Sequence, residues 1–147
     1  MSNLRKAIED IQFRGDIRFN EPMSRRTSFQ VGGPADVYLT PQSEQDIAAV
    51  MSLARNYPCF FLGAGANILV ADNGIRGVVV DMTGLDSCAV QENTIVAEAG
   101  AAVSDVSMLA AGHGLTGIEF IYAMPGSVGG SVWMNARCYG RSISEVL

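Results

Sequence analysis

Two glycine-dense stretches hold the residues with chemistry to offer. The first reads Leu62-Gly63-Ala64-Gly65-Ala66-Asn67-Ile68-Leu69. The second reads Met124-Pro125-Gly126-Ser127-Val128-Gly129-Gly130-Ser131, followed by Asn135-Ala136 and Tyr139-Gly140. A glycine backbone can approach an anion closely and turn successive N–H groups toward it. Two such loops in 147 residues suggest a ligand with an extended polyanionic spine, such as a dinucleotide. Asn67 adds a side-chain donor to the first loop, while Asn135 and Tyr139 carry an amide and a phenol suited to a planar heterocycle or to sugar hydroxyls. Each loop also has a mechanical reading: the first as a tight turn with no ligand, the second as a close-packed connection between lobes.

Gly63-x-Gly65 follows the apolar run Cys59-Phe60-Phe61-Leu62, as a dinucleotide-binding fingerprint would. Ile68, however, stands where the third glycine belongs, and Asn73-Gly74 turns the chain before a helix can begin. A Rossmann unit is therefore excluded. What remains is a strand–loop–strand in which consecutive amides form a nest for phosphate.

These loops must be positioned by a small, well-filled protein. Apolar residues make up 48% of the chain and charged residues 17%, enough to pack a core in one domain or in two lobes sharing a ligand. Residues 1–26 carry six basic and four acidic residues, for +2, and the rest carries four arginines against eleven acids, for −7. With no cationic face for a phosphate backbone, nucleic acid is not an expected partner. Lys6 is the sole lysine and lies in the charged N-terminal segment, which excludes P-loop and Schiff-base chemistry. Cys59, Cys88 and Cys138 form neither a CxxC pair nor a zinc pattern and fit a reducing compartment. No secretory signal or membrane span is read, so a cytoplasmic location and no membrane partner are expected.

Periodicity predicts a helix within residues 1–19, with Leu4, Ile8 and Ile11 on one face, then a polar stretch over 20–28 and a strand over 35–40. Ser43 and Asp46 resemble a capping box opening a helix through Ile47, Val50, Met51 and Ala54, which ends near Asn56. Cys59 to Leu62 is a buried strand, so the order is β-α-β and favours parallel pairing. Another buried strand covers 77–81, and a hairpin turns at Glu92-Asn93. A second helix capped by Ser104 ends at Gly112 or Gly114, and the chain then reads as irregular up to Val132. The apolar ending Ile143 to Leu147 suggests a cut in mid-element, hence a fragment. The expected organisation is an N-terminal helical segment (1–19), a first lobe (20–77) and an incomplete second lobe (78–147). An exposed seam left by missing strands would favour self-association; the oligomeric state itself is left open.

Four ordered motifs resemble the UDP-N-acetylenolpyruvoylglucosamine reductase family over roughly residues 20–147. They are Thr27-Ser28-Phe29-x-Val31-Gly32-Gly33-Pro34-Ala35, Leu62-Gly63-x-Gly65-x-Asn67-Ile68-Leu69, Gly114-Leu115-x-Gly117-x-Glu119-Phe120, and Pro125-Gly126-Ser127-Val128-Gly129-Gly130 with Met134-Asn135-Ala136 and Tyr139-Gly140. The resemblance implies an α+β, two-lobed FAD-binding fold of the vanillyl-alcohol-oxidase (PCMH) type, C-terminally truncated. FAD would lie between the lobes, its pyrophosphate on Leu62, Gly63, Ala64, Gly65, Ala66, Asn67 and Ile68. Its flavin end would lie near Met124, Pro125, Gly126, Ser127, Gly129, Gly130 and Ser131, and near Asn135, Ala136, Tyr139 and Gly140. It also implies the family's reaction in peptidoglycan precursor synthesis, in which NADPH reduces the flavin and the flavin reduces the enolpyruvyl double bond of a UDP-sugar. The family's catalytic arginine, its proton-donating serine or cysteine and its late glutamate have no counterpart positions before Leu147, so the chain alone is expected not to turn over.

Arg137-Cys138 departs from the small residues or glycine pair usual in that family. Arg137 is open to two readings, a contact to a flavin or substrate phosphate and a surface salt bridge; nothing near Cys138 marks it as a thiolate. His113, the only histidine, invites a flavin tether, but its place among glycines favours a helix C-terminal cap. Trp133 reads better as a packed lobe interface than as a stacking surface. Glu119 is a flavin contact or a residue that holds its own loop, and the methionines are core filler. The alternatives to the leading reading are another flavoprotein of the same fold, such as an oxidase with a tethered flavin, or a non-catalytic nucleotide-binding module.

Overall fold

The computed structural model describes residues 2–147. Its first part is a four-stranded sheet of β1 (Asp16–Pro22), β2 (Pro34–Thr40), β3 (Cys59–Leu62) and β4 (Ile75–Asp81), in the spatial order β1-β2-β4-β3. The β-α-β order read from the sequence is present, with α2 (Glu44–Leu53) linking β2 to β3. Those two strands do not touch, because β4 lies between them and pairs parallel with each. The reason is compositional. Val78, Val79 and Val80 are all fully buried, and a continuous apolar run of that kind needs cover on both faces and a partner on both edges. β4 also carries the sheet to Asp81, past the boundary expected at 77/78.

The N-terminal segment is helical only over α1 (Ser2–Asp10). Residues 16–22, expected to be partly helix and partly loop, form β1, antiparallel to β2 with Asp16 opposite Thr40 and Pro22 opposite Pro34. The alternation Ile17-Arg18-Phe19 suits a strand, and the open edge of β2 takes it. Leu4 and Ile8 of α1 pack with Val50 and Leu53 of α2 on Val37, Leu39, Val78 and Val80. The opposite face buries Met23, Ala35, Tyr38, Leu62, Val70 and Val79.

The second part holds a hairpin of β5 (Cys88–Gln91) and β6 (Thr94–Ala97), turning at Glu92-Asn93 as expected, followed by α3 (Val103–Gly112). Ala102, and not Ser104, occupies the cap of α3. Ser104 Oγ instead donates to the Met124 carbonyl at 3.4 Å and ties the helix to the second glycine loop. At its C-terminus Gly114 N bonds Ala111 O and Leu115 N bonds Ala110 O, the Schellman pattern that makes Gly114 the stop. The stretch expected to be irregular contains a further short helix, α4 (Val128–Met134). A small hairpin of β7 (Arg137–Cys138) and β8 (Arg141–Ser142) follows. Val103, Phe120, Ile121 and Ile143 form the core of this part.

Ser43 caps α2 by accepting from Asp46 N at 3.1 Å. The reciprocal half of the expected box is replaced. The Asp46 carboxylate accepts from Arg14 N at 2.8 Å and Gln42 N at 3.0 Å, locking the β1 entry to the helix start. Burial opposes its charge, but these backbone hydrogen bonds outweigh burial and hold its pKa below the usual value. A depressed native pKa means stability that is present above the unfolded pKa and lost as pH falls through the native one. Asp46, 1% exposed, should therefore cost about 1–3 kcal/mol when replaced in Asp46→Ala, by leaving two amides unpaired. In urea unfolding this gap between the two proteins should narrow as pH drops below about 4; a gap equal at pH 7 and pH 3 would contradict the assignment.

Candidate functional site

The two glycine loops meet. Gly63 follows β3 directly, and a Cβ on it would collide with Ser127 Oγ, with Gly130 N and Cα next at 3.6 Å. The first loop is placed by the parallel pairing Leu62 to Asp81 at the carboxyl end of the sheet. The second is placed by the segment before α3: Val128 N donates to Ala101 O and Gly129 N to Ala99 O, each at 2.8 Å, and Val103 N donates to Gly126 O at 3.2 Å. Between the loops lies a cleft of about 1060 Å³, at the upper end of the range for small-molecule sites.

The loops differ in what they offer to a ligand. Among the described residues, the amides of Ala64, Gly65, Ala66 and Asn67 have no partner in the chain. The amides of Gly63 and of residues 68–73 are also without a partner, so what singles out this stretch is Gly65 at φ +67°, the left-handed turn that a backbone anion nest requires. The second loop is spent internally. Val128, Gly129 and Ser131 donate to carbonyls, and Gly130 N reaches Ser127 Oγ at 3.4 Å as the cap of α4. Its glycines serve close packing: a Cβ on Gly129 would lie 2.9 Å from Ala99 Cβ.

Of the residues singled out from sequence, Leu62 through Ile68, Met124 through Ser127, Gly129, Gly130, Ser131, Asn135 and Ala136 all line this cleft. Tyr139 and Gly140 do not. They are the two turn residues between β7 and β8, with φ +50° and +78°, the sign pattern of a tight I′ hairpin, and the Tyr139 side chain stands 88% exposed. Asn135 closes α4 in the left-handed conformation, and its Oδ1 accepts from Ser144 N at 3.2 Å. Sequence reasoning missed Cys59, Phe60, Phe61, Met82, Ala99 and Met134 as wall residues; it read Cys59–Leu62 as a buried strand, whereas β3 lies at the sheet edge and leaves Phe60 and Phe61 exposed. Trp133 is not packed in an interface: it lines the cleft and is 88% exposed. The apolar walls suit a flat aromatic ring system.

A polar side pocket of about 330 Å³ opens on the other side of Gly63 and Ala64, lined by Arg25, Arg26, Thr27, Ser28, Tyr38, Asp81 and Thr83. Tyr38 Oη donates to Asp81 Oδ2 at 2.8 Å in a buried contact. Burial first, and then this bond, push the Tyr38 phenol far above its ordinary pKa, so it stays a donor. In the main cleft Cys59 is half-buried, and burial raises its thiol pKa, which leaves it a poor thiolate. Arg137 lines the cleft and forms no ion pair among the described residues. Glu119 holds its own loop by accepting from Gly117 N at 2.9 Å. His113 is exposed at the end of α3, with Nδ1 2.9 Å from the Leu109 carbonyl, and does not line the cleft. The described residues include no cluster of three or more potential metal ligands and no helix long and apolar enough to cross a membrane.

With this geometry in view, the chain belongs to the family of FAD binding domains, whose pattern matches residues 35–147. It is 43% identical to the UDP-N-acetylenolpyruvoylglucosamine reductase of Clostridium novyi over 147 residues, 99% of this chain and 48% of that protein. It is 41% identical to UDP-N-acetylenolpyruvoylglucosamine reductase 2 of Bacillus cereus over 149 residues, 100% of this chain and 49% of that one. The chain spans about half the length of the curated relatives it matches. The crystal structure of the Thermus caldophilus reductase of this name superposes with a TM-score of 0.67 at 28% identity, covering 86% of this chain and 44% of that one. Cholesterol oxidase from Brevibacterium sterolicum, at 19% identity and a TM-score of 0.54 over 87% of this chain and 25% of that one, shares the fold. The fold is α+β, of the vanillyl-alcohol-oxidase FAD-binding type, as the motifs implied.

The contact between the loops is open to a direct test. Gly63→Ala should destabilise the chain by about 1–3 kcal/mol through its collision with Ser127 Oγ. Ser127→Ala alone should cost about 1 kcal/mol through loss of the α4 cap. In Gly63→Ala/Ser127→Ala the collision is gone, so thermal unfolding should find the double variant no less stable than Gly63→Ala. Additive losses would separate the two loops.

Proposed function

We propose that this chain is the FAD-holding part of a UDP-N-acetylenolpyruvoylglucosamine reductase, using NADPH to convert the enolpyruvyl ether of a UDP-sugar into the lactyl ether of UDP-N-acetylmuramate. The observation that carries the FAD reading is the left-handed turn at Gly65, flanked by the partnerless amides of Ala64, Ala66 and Asn67, at the wall of a large apolar-sided cleft. These N–H groups bind the diphosphate without a lysine, which the chain does not have there. Bound FAD supplies two-electron transfer between the nicotinamide and the enolpyruvyl carbon–carbon bond. Phe60, Phe61 and Trp133 give the ring system apolar surface, and Met124 to Ser127 limit water on the facing side. Asn67 and Arg137 bring an amide and a free cation to the same cleft.

No residue of the cleft wall is assigned the proton transfer to the substrate carbon: its titratable groups are Cys59, with a raised pKa, and Arg137. The expected behaviour of the chain alone is FAD binding without reduction of the enolpyruvyl double bond. The tethered-flavin alternative has no observation in its favour, since the one histidine lies on the C-terminal cap of α3.

Trp133 is the only tryptophan and lines the cleft, so it reports occupancy. Titration with FAD should quench its emission saturably, with riboflavin binding far more weakly because it brings no diphosphate to the nest. A folded chain whose Trp133 emission is indifferent to FAD would contradict the proposal.

A further inference from the structure

A partly buried polar cluster outside the cleft sits behind the first loop and belongs to residues the sequence reading left without a role. Arg26 Nε and a terminal guanidinium nitrogen both lie 2.8 Å from Glu21 Oε1. The guanidinium carbon is 4.8 Å from the centre of the Tyr38 ring. Tyr38 in turn donates to Asp81, whose other oxygen accepts from Thr83 N at 3.0 Å and Thr83 Oγ1 at 2.7 Å. Glu21, Tyr38 and Asp81 are buried. Groups of this kind are kept in a protein interior only when paired, and breaking one pair leaves the partner exposed to the cost of burial. Burial also opposes the Arg26 charge, but the hydrogen bond to Glu21 and the neighbouring acidic groups outweigh it and raise its pKa.

What this cluster touches is the nest. The Arg26 carbonyl lies against Gly65, on the spot a Cβ would occupy, and Ser28 N donates to Gly65 O at 3.0 Å. Gly65 lies within the run of free amides and is held at φ +67°. The backbone of residues 26–28 is thus the support on which the left-handed turn rests; local bonds such as Arg26 N to Met23 O at 2.8 Å shape it, and the Arg26 side chain adds an anchor to Glu21 of β1 and Tyr38 of β2.

We infer that Arg26 is a positioning residue for the cofactor: its ion pair with Glu21 and its stacking on Tyr38 hold backbone 26–28 against Gly65 and so aim the Ala64–Asn67 amides at a diphosphate. This rests on the FAD reading of the cleft. An arginine is required, because one planar fork must bond Glu21 and lie over the ring at once, which a lysine ammonium does not do.

The test is a double-mutant cycle on Arg26→Gln and Glu21→Gln in the full chain, read by FAD affinity and by hydrogen exchange of the Ser28 amide without FAD. Each single variant should weaken FAD binding about tenfold and speed Ser28 exchange, with the far-ultraviolet spectrum retained. The double variant should be no weaker than the weaker single, and Arg26→Lys should not restore affinity. Wild-type FAD affinity in both singles, additive losses in the double, full rescue by lysine, or unfolding of all variants would each overturn the inference. If the unaltered chain itself does not bind FAD, the FAD reading falls, and the support of Gly65 by Arg26 then stands or falls on Ser28 exchange alone.

Discussion

The placement of β4 between β2 and β3 is the constraint on which the cleft depends. A strand whose Val78, Val79 and Val80 must all leave water can only be central, and in taking that place it aligns its carboxyl end with that of β3. In open sheets with parallel strands, ligands bind in the crevice outside those carboxyl ends. The first glycine loop begins at that edge, immediately after Leu62, and the second is brought to it by backbone bonds from residues 99–103. Gly63 has no side chain because Ser127 occupies the space one would fill.

The two loops divide the labour. The first keeps its amides free and is held from behind through Ser28 and Arg26, so its backbone is both unsatisfied and fixed, which is how preorganised anion sites avoid an ordering cost on binding. The second satisfies its own amides in α4 and contributes shape. The left-handed turn at Gly65 (φ +67°), with unpaired amides around it, is the more informative sign. Glycine content alone did not distinguish a nest from a packing surface.

Much of this was legible beforehand. The helix through Val50, the hairpin at Glu92-Asn93 and the gathering of Leu62–Ile68 with Met124–Ser131 followed from apolar spacing, turn residues and motif order. The rest depended on non-local terms. Residues 16–22 became a strand because β2 had an edge to fill, and α4 formed through Gly129 and Gly130, poor helix formers, because Ser127 caps it and the contacts to Ala99 and Ala101 fix its first turn. Tyr139-Gly140 looked like part of the ligand site, yet a short hairpin accounts for both residues. Asp46 read only as half of a local capping box and Arg26 as one charge of a polar stretch, since nothing local announces that each is held by a partner from another element.

In the proposed site the Ala64–Asn67 amides receive the diphosphate of FAD. The most direct measurement is a two-dimensional amide NMR spectrum of the labelled chain with and without FAD. The largest shifts should fall on Ala64, Gly65, Ala66 and Asn67, with smaller ring-current shifts at Phe60, Phe61 and Trp133 and little change at Val128 and Gly129, whose N–H groups are already bonded. Saturable binding that leaves the Ala64–Asn67 amides unmoved would contradict the account.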